Sequence, residues 1–243
     1  MGPKSYPGAV FWAKENIEIQ RAERYYFLMM RTLALLFILS APALAGEKIF
    51  KCSVAALRPT QLAVGMAEVG EKEKKLRGLS PQKLAAYQRK NPEPVVRGPG
   101  GALYIIDHHH LARALANLKI DGTYCTQAAD LSKLSSGAFW AEMAARKWVY
   151  SKDETGAPRP YSALPASVAG LKDDPYRSLA GAVRKAGGYD KSPRPFAEFL
   201  WADFFRPRIA RADIEADFDK CLQIALLLAR SEEAAGLPGY KGR

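Results

Sequence analysis

The chain has 243 residues, with 36 Lys and Arg against 25 Asp and Glu, for a formal charge of +11. That excess favours anionic partners such as nucleic acid or an anionic envelope surface. The three cysteines, Cys52, Cys125 and Cys221, form no C-x-x-C, which argues against a zinc knuckle or a thioredoxin-type redox site.

Residues 1–28 mix charges, include Tyr25-Tyr26 and show no periodicity. From Met30 to Ala45 a short basic start, an apolar core and a closing Ala43-Leu44-Ala45 have the anatomy of a secretory signal peptide. The apolar run is too short, and too soon followed by Glu47 and Lys48, to make a membrane span. Translation is therefore expected to begin at Met29 or Met30, with residues 1–28 a spurious or disordered extension and residues 29–45 the signal. The exported form, periplasmic or secreted, is expected to start at Gly46 and to hold no stable transmembrane span. The first 45 residues carry five basic and three acidic side chains, so the remainder keeps about +9. An oxidising compartment allows cysteines to pair. A Cys52–Cys125 bridge within one domain is one option, and the sequence leaves the pairing open.

Ile49 to Val54 alternates well enough for a first strand. Arg58-Pro59-Thr60-Gln61 reads as a turn, and Met66 to Leu76 as a charged helix. Ser80-Pro81 predicts a helix start, with Ser as the cap and Pro in the first turn, and the helix stops before Asn91-Pro92. Pro94–Arg97 and Ala102–Ile106 flank Gly98-Pro99-Gly100-Gly101, the pattern of a hairpin. Asp107 is then expected to cap a helix from about His108 to Asn117, with Leu111, Ala114, Leu115 and Leu118 as its buried stripe. Gly122 breaks that helix, and Thr123 to Ala128 reads as a further strand.

From Leu131 the pattern turns helical. Phe139, Trp140, Met143 and Ala144 suit one helix ending near Lys147, and a Pro/Gly-rich connector follows from Asp153 to Pro165. Three more helices are expected over 177–186, 195–205 and 210–230. Phe196, Phe199, Leu200 and Phe204 read as core packing, and Trp201 with Arg206 and Arg208 as a capped helix end.

All the histidines of the chain are consecutive, in the run Asp107-His108-His109-His110. They sit where a strand hands over to a helix, and a helix N-terminus offers unpaired N–H groups and partial positive charge to an anion. At about 100° per residue, His109 and Arg113 fall opposite the leucine face and are expected to face a cleft or solvent. One helix turn cannot aim three successive rings at one metal, so a metal needs ligands from elsewhere, such as Asp107, Glu68 or Glu71.

The run Tyr104-Ile-Ile-Asp-His-His-His-Leu-Ala-Arg-Ala-Leu115, with Arg58-Pro59-Thr60-Gln61, Val64–Val69 with Lys72, and Pro94-Val95-Val96, resembles the ParB/sulfiredoxin superfamily, and more closely its exported ParB-like nuclease branch. The resemblance covers roughly residues 48–131. It implies an α+β domain over 46–131, a small mixed sheet with helices, followed by a helical region over 132–243 packed on it. In ParB proteins this strand-turn-helix carries a Gly-Glu-Arg-Arg box that cradles nucleotide phosphates; in sulfiredoxins it carries a Gly-Cys-His-Arg box with a reactive cysteine. Here Asp107 stands at the glycine and His108 at the Glu or Cys position, so sulfiredoxin-type reduction is not expected. Histidines in place of arginines weaken fixed-charge phosphate binding but add acid, base or metal-ligand capacity.

These readings converge on a hydrolase, a phosphodiesterase or nuclease, with nucleic acid or a nucleotide-like anion as partner. His109 is its expected acid or base, with His108, His110 and Glu68 the other catalytic candidates. Asp107, Arg113, Gln61 and Lys72 are the phosphate-binding candidates. A divalent metal, if used, is assigned to Asp107, His110 and Glu71. The alternative on the same fold is a non-catalytic binder of nucleotide, nucleic acid or metal.

Overall fold

A computed structural model describes residues 49–242; the signal segment and the extension before it lie outside the described residues. The strands are β1 (Ile49–Ser53), β2 (Leu57–Pro59), β3 (Ala63–Val64), β4 (Glu93–Arg97), β5 (Leu103–Ile105), β6 (Gly122–Asp130) and β7 (Lys172–Asp173). The helices are α1 (Met66–Arg77), α2 (Pro81–Lys90), α3 (His109–Asn117), α4 (Ser136–Ala145), α5 (Pro175–Lys185), α6 (Ala197–Phe205), α7 (Arg211–Ala216) and α8 (Phe218–Ala229).

Five strands form a mixed sheet in the order β1-β6-β4-β5-β2, and β3 and β7 pair separately. The expected hairpin is present: β4 and β5 run antiparallel with Val95 opposite Ile105 and Arg97 opposite Leu103. Arg58-Pro59 is not a turn but part of β2, parallel to β5 at the sheet edge. Proline is tolerated there because an edge strand leaves one side free of ladder bonds.

Alternation along the strands builds two cores. On one face Val95, Ile105 and Cys125 pack under α1 and α3 through Val69, Leu76, Leu111 and Leu115. On the other, Val96 meets Phe139 and Met143 of α4. A third core gathers Tyr176, Leu179, Trp201, Phe205 and Ala225 from α5, α6 and α8. Trp201 belongs to it, fully buried with its indole N–H donating to the Pro238 carbonyl at 2.8 Å, while Arg206 pairs with Asp174 rather than ending a solvated helix.

Local chemistry sets the helix boundaries. Ser80 Oγ accepts from the Lys83 amide with Pro81 in the first turn, as expected. Asp174 does the same for α5, again followed by proline. The single helix expected over 210–230 is two: Asp217 leaves helical geometry at φ −150°, and its side chain caps α8 by accepting from the Lys220 amide. The cap of α3 also differs. His108, in the left-handed region at φ 59°, precedes a helix that begins at His109, and Asp107 Oδ1 accepts from the His108 amide at 2.6 Å. Among the described residues no helix is long and apolar enough to cross a membrane.

β1 and β6 are joined by a disulfide between Cys52 and Cys125, Cα atoms 6.0 Å apart, while Cys221 is free and buried. The bridge spans a sequence separation of 73 residues. Replacing both of its cysteines by alanine is expected to cost about 4 kcal/mol on the chain-entropy account. Urea unfolding measures it; an unchanged midpoint would contradict a closed bridge.

Candidate functional site

The turn from β5 into α3 opens onto a cleft of about 440 Å³. Gln61, Asp107, His109, His110, Lys147 and Arg177 line it together with Trp148, Phe196 and Phe199, and the Arg177 guanidinium lies 5.4 Å from the centre of the Phe199 ring. The amides of His109 and His110 open α3 and so have no intrahelical partner.

The three histidines do different things. His109 is only 2 % exposed. Its Nε2 accepts from the Thr60 amide at 3.1 Å, and Thr60 Oγ1, 3.3 Å away, donates to the Ile105 carbonyl. Of the expectation that His109 faces a cleft or solvent, the cleft part stands and exposure to solvent does not. A helical wheel sees one buried face, but α3 is covered on a second side by the loop after β2. Burial, followed by the neighbouring His110, lowers the His109 pKa to about 3, so the ring is a neutral acceptor and not a free acid. The Nδ1 of His108 is buried with no partner, and His108 does not line the cleft.

His110 lines the cleft and holds the carboxylate behind it. Its Nε2 stands 3.1 Å from Glu68 Oε2 and 3.2 Å from the Gly65 amide nitrogen. One ring nitrogen cannot donate to the first and accept from the second. A lone pair facing a carboxylate is the costlier arrangement, so we assign Nε2–H to Glu68 and leave the Gly65 contact poor. Nδ1 is then the basic nitrogen. Burial first, then Arg177, Lys72 and Lys185, push the His110 pKa well below the ordinary imidazole range.

Glu68 Oε2 also accepts from Arg177 at 3.0 Å. Gly181 of α5 makes the approach possible, since a Cβ there would lie 2.8 Å from Glu68 Oε1. Arg177 is 8 % exposed, and its Nε has no hydrogen-bond partner. The guanidinium is thus held between the Glu68 carboxylate and the Phe199 ring, 5.4 Å from its centre, in the wall of the cleft.

Other candidates fall elsewhere. Arg113 reaches the Val168 carbonyl at 3.4 Å and is not in the cleft, so it is no clamp there. Lys72 acts on His110 only through its charge and does not line the cleft. Glu71 is held by Lys185. With Asp107 turned to the His108 amide and His110 to Glu68, the trio Asp107, His110 and Glu71 does not converge. Among the described residues no three such side chains are placed to hold a metal ion. That trio does not fit a metal.

Sequence reading missed Arg177, Lys147, Trp148 and the Phe196 and Phe199 wall. It also missed Glu93, fully buried at the start of β4 with both carboxylate oxygens unpartnered. Burial and then nearby Asp107 raise the Glu93 pKa well above its ordinary value, which holds it as the neutral acid. Among the described residues four non-glycine positions have positive φ; Lys147 and Phe196 line the cleft, and His108 adjoins it. Lys147 is the left-handed residue that closes α4, where the Trp148 amide donates to the Met143 carbonyl at 2.9 Å.

Similarity to known proteins agrees with the fold. The family model described as "Putative ParB-like nuclease" matches residues 50–207, and the chain belongs to that family. The crystal structure of protein Atu1540 from Agrobacterium tumefaciens is similar at 40% identity and a TM-score of 0.77, over 82% of this chain and 99% of that one. No curated protein matches.

The His109 environment has a measurable consequence. Below about pH 6.5 the unfolded chain protonates this ring and the folded chain does not, down to about pH 3. Stability is therefore full above pH 6.5 and lost as pH falls, by about 1.4 kcal/mol per unit for one proton. Urea unfolding should find that His109→Gln, whose amide oxygen can still accept from Thr60, loses less stability than wild type between pH 7 and pH 5. A pH-independent difference would contradict the assignment.

Proposed function

We propose that this chain binds a phosphate ester at the start of α3 and hydrolyses it as a phosphodiesterase, with nucleic acid or a nucleotide-like anion as the partner. The observation that carries the reading is the cleft at the start of α3 that His110 and the Arg177 guanidinium line together. Fixed N–H dipoles and a guanidinium fork match a phosphate in charge and in geometry. Glu198 also lines the cleft, but Arg184 neutralises it at 3.0 Å, and Asp107 sits exposed at the rim.

For turnover the base is His110, not His109. Glu68 orients the His110 ring through Nε2–H, and Nδ1 takes a proton from water as the water oxygen bonds to phosphorus. The P–O bond to the leaving alcohol breaks, and the alkoxide recovers the proton from Nδ1. Arg177 and the α3 amides hold the charge that gathers on the non-bridging oxygens. The Cys52–Cys125 bridge supports a periplasmic or secreted setting, where a reaction that needs no nucleoside triphosphate is suited. A second reading, binding without turnover, is favoured by the engagement of His109 with Thr60.

Arg177→Lys keeps the charge but loses the fork. It is expected to weaken inorganic phosphate binding about tenfold by calorimetry, in line with about 1–3 kcal/mol for a charge-assisted bond. Unchanged affinity would overturn the phosphate site. His110→Asn is expected to abolish hydrolysis of a model phosphodiester while phosphate binding persists. Because the folded His110 pKa is depressed, the neutral base survives as pH falls through 6.5, and kcat/KM should stay flat from pH 8 to pH 6. A rate that halves near pH 6.5 would contradict that role, and wild-type protein that binds phosphate but never turns over supports the second reading.

A further inference from the structure

We propose that the face shared by α2 and the β1 edge of the sheet docks on an anionic lipid bilayer, its lysines meeting headgroup phosphates. Residues 49–90 hold nine basic and three acidic side chains, so this stretch carries most of the positive excess of the exported chain. All three acids are already engaged. Glu68 holds His110 and Arg177, Glu71 is held by Lys185, and Glu73 pairs with Arg77 at 3.6 Å and accepts from the Asn117 amide. Lys51, Lys75, Lys83, Arg89 and Lys90 are exposed and, among the described residues, pair with no carboxylate.

Contacts between elements place these cations on one surface. The Lys75 ammonium of α1 lies 4.5 Å from the centre of the Tyr87 ring on α2. Lys83, Tyr87 and Lys90 recur at i, i+4 and i+7, which sets them on one stripe of that helix. The Arg89 guanidinium lies 4.7 Å from the centre of the Tyr124 ring on β6, and its Nη2 donates to the Tyr124 hydroxyl at 3.2 Å. Lys51 stands opposite Tyr124 in the β1–β6 register, and cross-strand partners share one side of a sheet. Ile49, two residues before Lys51, points to that same side and is 42 % exposed.

The chemistry of this surface favours a bilayer over nucleic acid as its occupant. Tyr87 and Tyr124 each carry a cation already, so neither ring is presented bare for a base to stack on. Four of the five cations are lysines, point charges on long stems, which follow mobile headgroup phosphates where an arginine fork reads a fixed geometry. An exposed isoleucine in line with them suits an apolar interface and offers nothing to a phosphodiester backbone. Three residues separate Ala45 from Ile49, so an export signal ending there holds this same edge beside a bilayer during translocation. None of the five cations lines the α3 cleft, so docking does not occupy it.

The test is cosedimentation of the protein from Gly46 onward with vesicles of phosphatidylcholine alone or with about a third phosphatidylglycerol. Binding is expected to the anionic vesicles only, and to disappear between about 0.1 M and about 1 M salt, as the screening length falls from about 10 Å to about 3 Å. Each cation near an anionic leaflet strengthens binding about fivefold, so Lys83→Gln with Lys90→Gln is expected to weaken it about twentyfold. Lys133→Gln with Lys191→Gln removes the same charge from exposed positions outside this surface and is expected to leave binding unchanged. Thermal midpoints of both double variants should match wild type. Equal weakening by the two pairs, or equal binding to both kinds of vesicle, overturns the docking surface. A duplex oligonucleotide that binds more tightly than the vesicles at the same salt, and is lost only with Lys83 and Lys90, makes nucleic acid the occupant and overturns the lipid assignment.

Discussion

The carboxylate of Glu68 ties three helices together. From α1 it reaches His110 of α3 and Arg177 of α5, and Lys185 lies 3.8 Å from its other oxygen. The sheet domain and the helical region after it are joined at this point by charge as well as by packing. Removing one partner of a buried pair costs about 3–5 kcal/mol, because a charge is left without compensation. The small residues around the pair follow from it. Gly181 leaves room for the carboxylate, and Gly65, where a Cβ would lie 2.8 Å from the Ser178 amide, lets α1 start hard against α5.

That constraint also sets the electrostatics of the cleft. Burial and a ring of cations keep His110 neutral, and burial alone does most of the same for His109. Neutral imidazoles leave the positive character of the site to Arg177, to Lys147 and to the fixed dipoles at the start of α3. Such a site suits an anion, since a guanidinium, an ammonium and the helix dipoles all favour negative charge. Glu93 is the counterpart below the helix start, a carboxyl kept neutral by burial, so it does not oppose an anion above it.

Much of this fold was legible because it rests on local chemistry. Ser80-Pro81 set the α2 start, and the Gly98-Pro99-Gly100-Gly101 turn set the hairpin whose register brings Val95 opposite Ile105. The strand-to-helix turn was found from the histidine run itself. The burial of His109 was not legible, because the residue that covers it, Thr60, is 49 positions away. Arg177 lies 109 positions from Glu68, and nothing in the local pattern of either residue announces the pair. The helix expected over 177–186 starts two residues earlier, at the Asp174-Pro175 cap, which places Arg177 in its first turn. Phe196 was read as core by its helical spacing, yet it sits in left-handed backbone just before α6 and turns its ring to the cleft. Spacing describes residues inside a helix and misleads at its first position.

The central claim is that the first turn of α3 takes an anion. An amide-resolved NMR titration of the mature protein with inorganic phosphate tests it most directly. The account predicts saturable shifts concentrated at the His109 and His110 amides and at the Arg177 side-chain Nε. Shifts confined to the lysine-rich outer face of α1, or none at all at the α3 start, would contradict it.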